Sequence, residues 1–150
     1  MTTEIAGTTP SLYEKDYLAW LEATADAIRQ GNLSAVAWDN LLEEIEDMGR
    51  RERKSFKSNL IVLLHLLKWQ FQPQYRSNSW KGTIVEHRRR ILESLEESPS
   101  LRSSLEEVLA RAYQDAVDLA EAETGLPRET FPPDCPYQIT AILEKGFLPC

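Results

Sequence analysis

The chain has 150 residues, 42% hydrophobic and 27% charged, with a net charge of −7. That length can bury a substantial core, and the balance of apolar to charged residues argues against disorder. Two cysteines, Cys135 and Cys150, make no disulfide scaffold and complete no zinc spacing, while the polar stretch 1–10 lacks the basic start and apolar core of a signal peptide. Residues 1–10 are therefore expected to be a disordered tail, 11–150 a single all-α domain, and the location cytoplasmic.

Ser11 and Glu14 have the spacing of a capping box, so a helix is expected to start there. Tyr13, Tyr17, Trp20, Leu21, Thr24 and Ile28 fall on one face, and Gly31 supplies a C-terminal stop. A second stripe runs Trp38, Leu41, Leu42, Ile45, Met48. Gly49 follows it, but Arg50 to Arg53 offer no N-cap for a fresh start, which favours one long helix weakened at Gly49 over two.

The stretch 56–72 organises the chain. Leu60, Leu63, Leu64 and Leu67 mark one side of the helix, while Ile61, Val62, Leu66 and Trp69 cover the others. A helix apolar on every side must be surrounded. The run Leu60–Leu67 is eight residues, broken by His65, against about 20 for a bilayer span. It reads as the central helix, 52–71, of a soluble bundle, ended by Pro73.

Ser77, Asn78 and Ser79 open the next helix, with the stripe Trp80, Ile84, Arg88, Ile91, Leu95. Pro99 behind Ser98 reads as the first position of another, carrying Leu101, Leu105, Val108, Leu109, Ala112, Ala116 and Leu119 to a stop at Gly125. Roughly 25 residues at 1.5 Å each predict a rod of about 38 Å. Beyond Leu126 the chain is Pro-rich. One short helix fits there, capped by Asp134 and running through Ile139, Ile142 and Leu143, with Phe131, Tyr137, Phe147 and Leu148 too apolar for a free tail. The expected fold is an all-α bundle of four to five long helices around 52–71, with a Pro-rich C-terminal segment.

These residues resemble a known family. Leu41-Leu42-Glu43-Glu44-Ile45-Glu46, Leu63 to Gln70, Gln72-Pro73, Arg76, Ser79-Trp80, Thr83-Ile84 and Arg88 carry the likeness. Ser98 to Leu101, Glu123 to Pro127 and Phe131-Pro132 extend it. The ordered set, covering Leu12 to Pro149, is similar to domain of unknown function twenty-nine, a bacterial family common in cyanobacteria. The resemblance implies an all-α bundle and brings no substrate, cofactor or partner. Two positions depart from the pattern: Ala37 stands where Asp often precedes the second helix, and His87 where Gln is common.

A polar cluster is the one candidate site: Glu43, Glu44, Glu46, His65, Arg76, Ser79, Trp80 and Arg88. Arg88 interrupts an apolar stripe, and a buried guanidinium must be paired or must snorkel. A carboxylate among Glu43, Glu44 and Glu46 is one partner, and an anionic ligand another. The four carboxylates 43, 44, 46 and 47 could instead pair along their own helix, Glu46 with Arg50 and Asp47 with Arg51. His65, one turn from Ile61 and Trp69, is either a satisfied core residue or a base near neutral pH. No Glu-x-x-His occurs, so no metal or other cofactor is expected. The four tryptophans all lie on helical stripes and are expected in the core.

Three function classes remain open. The first is a module that binds another protein or associates with itself, which needs no reactive group. The second is a ligand binder or enzyme using the polar cluster, although no catalytic motif is present. The third is a nucleic-acid binder. Between Arg50 and Arg90 there are 11 Lys and Arg against two acids, so this segment is +9 and the remainder −16. Arg50, Arg51, Arg53, Lys54, Lys57 and Arg88 to Arg90 would be its contacts. A total of −7 disfavours phosphate binding, and neither nucleic acid nor membrane is expected as a partner.

Overall fold

The chain is helical wherever its apolar residues recur at three- and four-residue steps. A computed structural model describes residues 11–150; the tail expected over 1–10 lies outside the described residues. Among those described there is no strand. The chain divides into two compact units, the first ending at Arg51 and the second running Glu52–Cys150.

In the first unit, the helix expected from Ser11 forms in two pieces, α1 (Leu12–Lys15) and α2 (Tyr17–Arg29). The Ser11 side chain makes no cap bond; Asp16 interrupts the helix and accepts from the Ala19 N–H at 3.0 Å instead. A carboxylate at a helix N-terminus answers both an orphan donor and the helix dipole, which restarts the helix there. Gly31, at φ +74°, closes α2 in the left-handed region. The next helix, α3 (Trp38–Asn59), passes through Gly49 unbroken.

The expected single element 52–71 is divided: α3 stops at Asn59 and α4 (Val62–Phe71) begins after two intervening residues. Ser58 Oγ and Asn59 Nδ2 both donate to the Ser55 carbonyl, at 2.8 and 3.0 Å. Side chains that compete for a ladder carbonyl weaken the helix there. Leu60 and Ile61 follow with tighter three-residue bonds to Lys57 and Ser58.

Ser77 caps α5 (Asn78–Glu97) by accepting from the Trp80 N–H. Pro99–Ser104 is a 3₁₀ stretch rather than the first turn of the next helix, and α6 runs Leu105–Thr124. Serines again explain the difference, because Ser103 and Ser104 bond back to the carbonyls of Ser100 and Leu101. With 20 residues, α6 is about 30 Å long, shorter than expected. Gly125 takes the left-handed stop at φ +74°. The short C-terminal helix, α7 (Ile139–Leu143), has Gln138 at its cap, not Asp134.

The core of the second unit is built on α4. Val62, Leu63, Leu64, Leu66 and Leu67 are all buried, against Ile84, Ile91 and Leu95 of α5. Leu109, Tyr113, Ala116, Val117 and Ala120 of α6 close the other side. Phe131, Tyr137 and Ile142 bring the C-terminal segment onto the same cluster. A helix apolar all round is thereby enclosed, as its composition requires.

The first unit departs from expectation. Trp20, Thr24, Val36 and Glu44 are buried, but the α3 stripe is not: Trp38 is 53% exposed and Leu42, Ile45 and Met48 each 57%. Tyr13 and Tyr17 approach α3 on the flank that carries Glu44, about 100° round the helix from Ile45. Leu41 is half-buried and the other four stripe residues are left facing solvent, so Trp38 is not the core residue its position suggested.

Leu67→Ala should cost about 2–5 kcal/mol, since a fully buried leucine leaves a cavity. Leu42→Ala should stay within about 0.5 kcal/mol of the parent. Urea midpoints check both; equal losses would contradict the placement of the core.

Candidate functional site

Glu44 is the buried carboxylate of the first unit. It accepts from Tyr13 Oη at 3.1 Å, from Arg51 at 2.7 Å, and from Tyr17 Oη. Tyr13 meets Trp20 edge-on at 4.5 Å between ring centres, so the aromatic side chains of α1 and α2 wall the site. The hydrogen bond from Tyr17 holds the Glu44 pKa below the usual carboxylate value, and those from Arg51 and Tyr13 add to this while burial opposes it. A carboxylate with three donors and a depressed pKa is a weak base. Its arrangement fastens α1 and α2 to α3. The helix pairs expected from spacing do not form as drawn: Arg51 reaches Glu44, and Arg50 pairs with Asp47. Glu43 and Glu46 are exposed, and neither belongs to an ion pair among the described residues.

In the second unit, Arg88 is buried as its place in the stripe implied. Its hydrogen bonds go to backbone, not to a carboxylate: Nε donates to the Ile142 carbonyl at 2.7 Å and a terminal nitrogen to that of Phe147 at 2.8 Å. The first carbonyl is in the last turn of α7, where helical carbonyls lack ladder partners and attract positive charge, and the second lies four residues beyond the helix. Burial lowers the Arg88 pKa from its usual value, with Glu144 opposing, and the group stays charged. Tyr113 Oη donates to the Pro132 carbonyl at 2.6 Å and Tyr137 Oη to Gln70 at 2.7 Å. The C-terminal segment is thus fastened at several points.

The remaining residues of the expected cluster are engaged separately. His65 Nδ1 lies 3.3 Å from the Ile61 carbonyl, and burial pushes its pKa down with a smaller contribution from Lys68, so it is neutral at pH 7. Arg76 donates to the Trp69 carbonyl at 2.7 Å and covers that indole. Lys68 lies over Trp80 and pairs with Glu123. The Ser79 carbonyl accepts from Thr83. Arg88, His65, Arg76 and Trp80 therefore make four local contacts, with no shared ligand group among them.

Sequence reasoning missed two features. His87 Nδ1 lies 2.8 Å from Asn59 Oδ1, across from α5 to the end of α3. The tyrosines that hold Glu44 were readable only as stripe members, although their four-residue spacing places both hydroxyls on one face. Cys135 lines a groove of about 200 Å³ with Tyr113, Tyr137 and Ile142. Burial raises its thiol pKa, the opposite of activation. No cluster of three metal-ligating side chains occurs among the described residues. Among the described residues, nothing covers the apolar seam on α3.

Fold and site together define an all-α protein that presents an apolar helix face rather than a pocket of converging reactive groups. A family model described as Domain of unknown function DUF29 matches residues 12–148, nearly the whole chain, and the chain belongs to that family. No curated protein and no solved structure matches it. Among the described residues no helix is long and apolar enough to cross a membrane.

Two outcomes follow. Because the Glu44 pKa is lowered, its stabilisation is present above the ordinary carboxylate value of 4.5 and is lost as pH falls through the folded pKa. Tyr17→Phe should raise the Glu44 pKa toward 4.5, read from its carboxyl carbon by NMR; an unchanged titration would remove Tyr17 from the network. Arg88→Met should cost roughly 2–4 kcal/mol by stranding two carbonyls, with the 139–147 amides losing hydrogen-exchange protection first. Uniform protection after this change would contradict the fastening role.

Proposed function

We propose that this protein is a binding module that receives another protein on the exposed apolar face of α3. One observation carries the reading: Trp38, Leu42, Ile45 and Met48 form a helical seam, and each is more than half exposed. Isolated exposed apolar residues need no explanation, but aligned ones mark an interaction surface. Trp and Met are also residues that interfaces favour. Such a seam offers anchors at i, i+4, i+7 and i+10 along one helix face.

The other classes have less support. Arg89 and Arg90 pair with Glu86, and Arg50 and Arg51 with Asp47 and Glu44. Arg88 is buried. Much of the basic stretch is thus neutralised locally, which weakens the case for phosphate contacts. Cytoplasmic location agrees with such a module and belongs to the same proposal.

A photo-crosslinking residue in place of Leu42 should capture one discrete protein in the parent cell, and Ile45→Asp should abolish the product while the melting temperature holds. A product at twice the chain mass would assign the face to self-association. The absence of any product from positions 42, 45 and 48 would overturn the reading.

A further inference from the structure

The borders of the seam say what kind of partner fits it. Between Trp38 and Gly49, α3 carries Asp39, Glu43, Glu44, Glu46 and Asp47 and not one Lys or Arg. Glu44 is consumed by Tyr13, Tyr17 and Arg51, and Asp47 by Arg50. The other three are exposed, and among the described residues none has an ion-pair partner. At 100° per residue, Asp39 and Glu46 fall on one edge of the seam, with Glu43 just behind them. Bases appear on this helix only from Arg50, past the last seam residue Met48.

Resting on the binding reading above, we infer that the partner is a basic amphipathic helix. Its apolar face lies along Trp38, Leu42, Ile45 and Met48, and its Lys or Arg residues meet Asp39, Glu43 and Glu46. A second copy fits poorly. Laid antiparallel about the middle of the seam, two copies bring Asp39 of one toward the acidic residues at the far end of the other. Like charges then line the groove, and like charges at an interface select against a partner. Laid parallel, a two-fold axis puts each acidic edge opposite the Glu44 flank of the other copy, where Arg51 is already engaged by Glu44 and, among the described residues, no free base answers it. A surface of this sign also rejects nucleic acid. A complementary basic helix removes the repulsion and gains steering on approach.

The test uses the full chain and three labelled peptides of about 18 residues, sharing one leucine seam and flanked by Lys, Gln or Glu. Binding is read by fluorescence anisotropy near 0.1 M salt. The Lys-flanked peptide should bind at least tenfold more tightly than the Glu-flanked one. Ile45→Asp should abolish its binding, and the triple change Asp39→Lys, Glu43→Lys, Glu46→Lys should reverse the order of preference. The pair Glu106→Lys and Glu107→Lys on α6, which alters charge elsewhere, should leave binding unchanged. If all three peptides bind alike and Ile45→Asp abolishes each, the charge inference is wrong and the binding face stands. Lys-peptide binding that survives Ile45→Asp would be non-specific attraction and overturns the inference. Self-association through Ile45 that the Lys peptide cannot displace overturns it in favour of a second copy. If no peptide binds and Ile45→Asp changes nothing, both inference and reading fall.

Discussion

An apolar helix cannot be left in water, and the second unit is arranged to meet that demand for α4. Its buried leucines and valine require cover on every side, which α5 and α6 supply on two and the C-terminal segment completes. Ala116 and Ala120, small enough for close approach, lie on the α6 face that receives it. The C-terminal segment has only one short helix of its own, so side-chain bonds must hold it. Arg88 does so from within the core. Its guanidinium fills the place where the stripe called for an apolar residue and satisfies two carbonyls that would otherwise be stranded.

The first unit applies a polar solution to a similar problem. Tyr13 and Tyr17 do not lie on the apolar seam of α3; they reach across to Glu44 on its flank. A buried carboxylate tolerates that position only because donors surround it. The consequence is an orientation: anchoring α3 through Glu44 turns Trp38, Leu42, Ile45 and Met48 toward solvent. The protein thus encloses one apolar element and displays another. That contrast is the physical basis for reading the displayed one as a contact surface.

Hydrophobic period made the helices legible, and the all-apolar stretch announced its own enclosure. Element ends were less legible where serine and asparagine compete for backbone carbonyls. Ser58 and Asn59 divide one expected helix, and Ser103 and Ser104 delay another. Spacing marks Glu44 as a border residue with an inward option, but it does not single out the tyrosines as its partners. Arg88 lies in the core at its stripe position, where the sequence leaves snorkelling, a carboxylate partner and an anionic ligand all open. A backbone carbonyl leaves no signature in the sequence, so spacing could not reveal that partner. Periodicity marks which face of α3 is apolar; it does not say whether anything in the same chain covers it.

Hydroxyl-radical footprinting of the isolated chain tests the central claim most directly, by comparing side-chain labelling at Trp38 and Met48 with that at Trp20 and Leu64. Rapid labelling of the first pair and protection of the second is the result the structure predicts. Protection of Trp38 and Met48 equal to that of Trp20 would mean the seam is already covered, and the account of its function would be contradicted.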